Sequence, residues 1–230
     1  MIRCDWAQPG LESIGRDAAV VIVDVFSFGT AVTLAVERGA IVYPWPGAAA
    51  GAADFARRQN AILCTDRSRT TFSLSPESLL GIESGTRLVL PSLNGASLVA
   101  AATRIARPTI VASLRNASAV ARWLAAWDGP VAVIAAGERW PDGTTRFAIE
   151  DWLGAGAVLA SLGGEQSSEA RAAAAAFAAS RAGLAEVLAG SVSGRELASR
   201  GFAADVALAG DCDASSIVPV VDRDGWLIAV

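Results

Sequence analysis

The sequence predicts a three-layer α/β/α sandwich with a mostly parallel or mixed central sheet. Three observations carry that expectation. The first is a set of short apolar runs that are continuous rather than alternating, Ala19-Val20-Val21-Ile22-Val23 foremost. A strand that is apolar at every position is buried on both faces, as in a parallel sheet covered by helices. The second is that each run leads into a polar turn and then an Ala-rich pattern of helical spacing. Strands alternating with helices build α/β layers. The third is the lack of any linker or charge run dividing the chain, so residues 1–230 read as a single domain.

Along the chain, residues 19–25 are a strand that ends in an acid, Asp24. Ser27-Phe28-Gly29-Thr30 offers a turn and a cap, and residues 31–38 form a helix stopped by Gly39. Residues 40–43 are a second strand, 44–51 a loop, 52–59 a short helix and 61–64 a strand. Residues 65–75 are polar, carry Arg67 and Arg69, and read as a loop. Residues 87–90, 109–112 and 131–135 are further strands, each succeeded by a helical pattern. The turn Pro141-Asp142-Gly143 precedes a helix over 149–162, which ends at Gly163-Gly164. Residues 168–188 form a long Ala-rich helix, and 201–208 lead into a last αβ passage. Residues 218–221 and 226–230, joined by Asp222-Arg223-Asp224-Gly225, are a terminal hairpin.

Composition prunes the chemistry. The chain is 53% hydrophobic and long enough to bury roughly 70% of its unfolded surface without a disulfide or metal staple. It has no His, and all 19 basic residues are Arg. A Ser-His-Asp triad, a Walker-A loop, a Schiff-base lysine and a His-based zinc site are therefore excluded. A net charge of −4 without a basic run makes a poor nucleic-acid binder. No charge-free stretch reaches the ~20 apolar residues of a membrane span, and the first residues lack a signal-peptide core. Cys4, Cys64 and Cys212 show no paired spacing and read as plain thiols in a reducing cytoplasm. A cytoplasmic protein is expected, compatible with a homodimer.

One phrase occurs twice, Ser92-Leu93-Asn94-Gly95-Ala96-Ser97 and Ser113-Leu114-Arg115-Asn116-Ala117-Ser118, 21 positions apart. Each copy stands where a strand hands over to a helix. Such turns cap the helix and expose backbone N–H groups to anions. In a parallel sheet they gather on one edge, where ligands of open α/β sheets bind. Plain helix capping explains each copy equally well. Asp24, closing a buried strand before a turn, is placed to hold Mg²⁺. Glu150-Asp151 open a helix and serve either the helix dipole or a metal alongside Asp24. Ser193-Gly194-Arg195 offers a guanidinium fork for an anion, or a surface arginine at a helix start. Haloacid-dehalogenase chemistry is excluded, because Phe26 occupies the place of its second acid and no lysine exists. The Cys-x5-Arg phosphatase signature and a GxGxxG turn are absent too.

In order and spacing, VVIVDVF, LNGAS, ASLRNASAVA, IAAG with IEDWLGAGAV, SGREL with GFAADV, and Asp213 with Val218-Pro219 resemble the 2-phosphosulpholactate phosphatase family from about Val20 to Pro219. The resemblance implies an α/β, Mg²⁺-dependent phosphatase of a small phosphorylated or sulfonated acid, active in a branch of coenzyme M synthesis. It carries over Asp24, Arg67, Asn94, Gly95, Asn116, Glu150, Asp151 and Arg195. Asp24, Glu150 and Asp151 would be metal ligands. Asp24, Arg67, Glu150 and Arg195 would be catalytic. Ser27, Thr30, Asn94, Gly95, Asn116, Ser118 and Gly194 would touch substrate. This chain departs from the family's Arg-Ala-Thr-Thr at Ser27-Phe28-Gly29-Thr30, its Gly-Glu-Arg at Thr65-Asp66-Arg67, its Thr-Thr at Ser92-Leu93, and its His-Gly-Arg at Ser193-Gly194-Arg195. A homologue of altered specificity, or one that binds a small anion without turnover, is the alternative these changes imply.

Overall fold

The computed structural model describes residues 1–47, 50–65, 71–106 and 108–230. In chain order these form β1 (Ile2–Trp6), α1 (Ala7–Ile14), β2 (Ala19–Val23), α2 (Phe28–Glu37), β3 (Ile41–Pro46), α3 (Ala52–Arg58) and β4 (Ile62–Leu63). Next come β5 (Arg87–Ser92), α4 (Gly95–Ile105), β6 (Thr109–Ala112), α5 (Ala117–Leu124), β7 (Val131–Ala135), β8 (Glu138–Arg139) and β9 (Thr145–Arg146). The chain closes with α6 (Ile149–Ala160), α7 (Ser168–Ser180), α8 (Leu184–Gly190), α9 (Val192–Ser199), α10 (Ala203–Gly210), β10 (Pro219–Val221) and β11 (Leu227–Ala229).

The architecture is a three-layer α/β sandwich around a mixed nine-stranded sheet, in the order β1-β7-β2-β6-β10-β11-β3-β5-β4. β2, β6 and β7 are buried at every residue, as their continuous apolar runs require. One face of β2 packs Val20 and Ile22 under α2 and α4. The other packs Val21 and Val23 under α5, α6 and α7. The expected strand at 40–43 extends to Pro46, and the expected helix over 168–188 is α7 and α8 joined by a turn at Arg181–Gly183. Ser168–Gly190 is long and apolar enough by length and composition to cross a membrane. It carries Glu169, Arg171, Arg181 and Glu186 and lays Ala170, Ala173 and Phe177 into the core. Burial pushes the Cys4 and Cys64 thiols up to about 12, so both are inert packing groups.

The sequence expectation lacks β1, α1 and the β8–β9 hairpin, and it differs from the structure in strand sense. β1 lies parallel to β7 at the sheet edge. β1, β7, β2 and β6 run parallel, as do β3, β5 and β4. Between these blocks lies the β10–β11 hairpin, antiparallel to β6 on one side and to β3 on the other. Three successive antiparallel pairings reverse the sense, so β5 opposes β2, β6 and β7. The four strand ends near Asp24, Leu90, Ala112 and Ala135 therefore do not share one edge as the sequence suggested. β2, β6 and β7 share it, and β5 arrives from the opposing block. The blocks are held to the hairpin by single registers, Val220 with Ile110 and Leu227 with Val42. The carboxyl ends of both blocks nevertheless line one cavity, through Asp24 after β2, Gly47 after β3 and Asn94 after β5. A flat sheet would keep those ends apart, so the sheet bends across the hairpin.

Candidate active site

Asp24 sits where the blocks meet. Its Oδ1 accepts the Phe28 N–H at 3.1 Å and its Oδ2 the Gly95 N–H at 3.0 Å. Phe28 and Gly95 are the first residues of α2 and α4. Two helix N-termini thus converge on one carboxylate, an arrangement that stabilises negative charge. The approach is close enough to require glycine at 95. A Cβ there would press on the Phe28 ring and lie 2.6 Å from Asp24 Oδ2. The backbone N–H groups that the turns offered to a phosphate are, at these two positions, already given to Asp24.

The cavity in front of Asp24 has a volume of about 720 Å³. A small hairpin, β8–β9, forms its opposite wall. Glu138 and Arg139 stand on the first strand and Arg146 on the second. Asn94 ties the hairpin to α4, donating Nδ2–H to Glu138 Oε2 at 2.8 Å, while Arg139 Nε–H donates to Asn94 Oδ1 at 3.2 Å. Arg146 pairs with Glu196 at 3.1 Å, with only 12% of its side chain exposed. Arg139 and Arg146 on the hairpin and Arg200 after α9 bring three guanidinium groups to the cavity, beside the carboxylates of Glu138 and Glu196.

Three further carboxylates, those of Asp151, Glu150 and Glu138, gather around Asp24. Asp151 is locked, its Oδ1 accepting Val25 N–H at 2.7 Å and its Oδ2 Gly137 N–H at 2.8 Å. It therefore clips the end of β2 to the end of β7. Burial pushes its carboxyl well above the usual range, and the charges of Asp24 and Glu150 add to the shift. Glu150 is 1% exposed, and among the described residues neither oxygen has a hydrogen-bond partner of good geometry. Burial raises it, against the Ser193 hydroxyl and the Arg146 charge beside it. Glu138 rises to about 7, by burial first and then by the charges of Asp24 and Glu150. A carboxyl so buried is accommodated either by keeping its proton or by a cation beside it. Among the described residues no three acidic or cysteine side chains close on a point as a preformed cage. An ion here would complete its shell with water or substrate oxygens, as Mg²⁺ ordinarily does.

The family model for 2-phosphosulpholactate phosphatase matches residues 9–224 of the 230. The chain belongs to the 2-phosphosulpholactate phosphatase family. A search of the curated proteins finds no match.

Several positions singled out in this phosphatase-family chain fall away from the cavity. Ser27, Asn94 and Asp24 line it. Arg67 lies outside the described residues. Thr30 is fully buried and donates its hydroxyl to Val25 O at 2.9 Å. Asn116 is fully buried in the framework, accepting Ser113 N–H at 2.9 Å and donating to Ile217 O at 3.1 Å. Ser118 bonds Asp213 through both its N–H, at 2.8 Å, and its hydroxyl, at 2.7 Å. Gly194 N–H caps α9 on Ser191 Oγ, and the Arg195 guanidinium donates to Gly190 O. The neighbours of Gly194 and Arg195 face the cavity instead, Ser193 on one side and Glu196 on the other. Sequence reading passed over Glu138, Arg139, Arg146 and Glu196. The local signals are charge flanking the Pro141-Asp142-Gly143 turn and, for Glu196, its place beside Arg195 in SGREL.

Proposed function

We propose that this protein is a Mg²⁺-dependent phosphohydrolase of a small phosphorylated acid such as 2-phosphosulpholactate. Its family is one of phosphatases. The observation that carries the finer reading is the junction at Asp24, an anion fixed by two helix termini and facing an arginine-bearing wall. Asp24 and Glu150 would hold the metal, with Asp151 positioning the strand ends around them. Bound Mg²⁺ would neutralise phosphoryl oxygens and lower the pKa of a coordinated water.

The chain's own residues then divide the remaining work. Arg146 is the phosphate clamp of choice, since its guanidinium is nearly buried and can exchange Glu196 for a ligand oxygen. Arg139 and Arg200, more exposed, suit the substrate's second anionic group. Arg67, expected from the family motif, would add a further clamp. Trp140 and the β8–β9 hairpin border the cavity on that side. The nucleophile we favour is water, since no lysine is present to support an aspartyl-phosphate on Asp24.

The test is phosphate release from a panel of phosphorylated hydroxy acids, 2-phosphosulpholactate included, with Mg²⁺ and with chelator. Mg²⁺-dependent release from one of them supports the reading; none from any of them overturns it. One observation favours a second reading, that of a non-hydrolysing anion binder. Ser193 replaces the family's His, and its buried Oγ has no partner of good geometry. Tight anion binding without phosphate release is the outcome that reading expects.

A further inference from the structure

A second cavity, of about 380 Å³, lies away from the catalytic one on the outer face of β3, β5 and β11, beside α3. Strand alternation puts Ile41 and Tyr43 of β3 on that face. Arg87 of β5 stands opposite Ile41 in register. Tyr43 and Phe55 present rings 4.3 Å apart, and Trp226 meets Tyr43 edge-on at 5.2 Å. Arg87 stacks its guanidinium on Trp226, 4.0 Å from the ring centroid. That stacking leaves the guanidinium edge unused. Arg87 Nε–H is buried without a partner, and its Nη2 makes only a long bond of 3.4 Å to Gln59 Oε1. No carboxylate pairs with Arg87 among the described residues. The β10–β11 turn brings Asp222 and Asp224 to the same cavity, and Asp222 Oδ1 fixes the turn by accepting the N–H groups of Asp224 and Trp226.

We infer that this cavity binds a small zwitterion, an amino acid with an aromatic or branched side chain. Its carboxylate would take the guanidinium edge of Arg87, its ammonium Asp222 and Asp224, and its apolar body the faces of Tyr43 and Phe55. Three chemistries line one small space, and each excludes a simpler ligand. A plain anion suits Arg87 but meets two carboxylates. A plain cation suits the aspartates but meets an arginine already stacked on the best aromatic face. A neutral apolar molecule leaves the Arg87 charge, which has no carboxylate partner among the described residues, uncompensated beside an apolar body. A ligand carrying both charges satisfies all three walls, and a cavity of this size matches a molecule of about ten heavy atoms. Among the described residues the site shares no lining residue with the catalytic cavity, so the inference stands apart from the phosphatase reading.

The test is calorimetric titration of the whole protein with L-phenylalanine. 3-Phenylpropionate and 2-phenylethylamine serve as probes lacking the ammonium and the carboxylate. L-Phenylalanine is expected to bind at one site, and each half-probe at least tenfold more weakly. Arg87→Gln and Asp224→Asn should each weaken L-phenylalanine at least fivefold. Asp224 is exposed and contributes only its backbone to the turn, so Asp224→Asn remains informative if Arg87→Gln fails to fold. No binding of L-phenylalanine, equal binding of either half-probe, or unchanged affinity in Asp224→Asn overturns the inference.

Discussion

The two copies of the repeated turn do opposite jobs. In the first copy, Gly95 gives its N–H to Asp24 and Asn94 reaches across to Glu138, both at the cavity. In the second, Asn116 stands at the place equivalent to Gly95, and its amide closes the turn on Ser113 and Ile217. Ser118, equivalent to Ser97, is spent on Asp213. The sequences are near twins, and both sit after a buried strand. The neighbour is the difference. An acid approaches the first turn so closely that a side chain has no room, whereas the second turn faces the C-terminal segment and needs a side chain to fill and bond it. A polar turn at a strand end therefore becomes a site only where something reactive is brought against it.

That contrast can be broken by substitution, and the largest effect is expected at Gly95. Gly95→Ala puts a methyl against Phe28 and Asp24, displacing the carboxylate. Misplacement of a reacting group by about 1 Å is enough to lower kcat/KM about 100-fold, and steady-state phosphate release is the measurement. Asn116→Ala should do the reverse. It removes buried hydrogen bonds and should lower stability by about 1–3 kcal/mol in urea denaturation, with kcat/KM of the folded fraction unchanged.

Asn94→Ala comes next, with about a tenfold loss of kcat/KM as the hairpin loosens and little change in stability. It also sharpens a pH effect. Glu138 is raised from 4.5 to about 7 in the folded chain. Between those values the folded protein holds a proton that the unfolded chain has released. Stability is then full below about pH 4.5 and declines as pH rises towards 7, the unfolded state binding fewer protons. Melting temperature against pH in metal-free buffer should fall across that window, and Glu138→Gln should flatten the fall. Asn94→Ala should extend it upward, because the Asn94 hydrogen bond holds the Glu138 value down. The smallest effect belongs to Ser118→Ala, a loss of about 0.5–1 kcal/mol with no change in rate.

Much of the fold was legible because local pattern carries it. The continuous apolar runs of β2, β6 and β7 require burial on both faces, and the hairpin at Asp222 to Gly225 declares itself by its turn residues. β1 escaped because Arg3 and Asp5 alternate with Ile2 and Cys4, a pattern weak over so short an edge strand. The reversed sense of β5 was not legible at all, since strand direction depends on which strands pair and leaves no local mark. The site divides the same way. Asp24 was visible as an acid closing a buried run. Glu138 and Arg146 stand on two-residue strands without periodicity, and their partners, Asn94 and Glu196, lie 44 and 50 residues away in sequence.

We propose that the carboxyl ends of both strand blocks build one Mg²⁺-dependent phosphatase site around Asp24. The most direct test is the initial rate of phosphate release from 2-phosphosulpholactate, titrated with Mg²⁺, for wild type and Asp24→Asn. Saturable, Mg²⁺-dependent release is expected of the wild type and a fall of at least about 1,000-fold in the variant, some 4 kcal/mol of transition-state stabilisation. Release that persists in chelator, or that proceeds equally in Asp24→Asn, would contradict it.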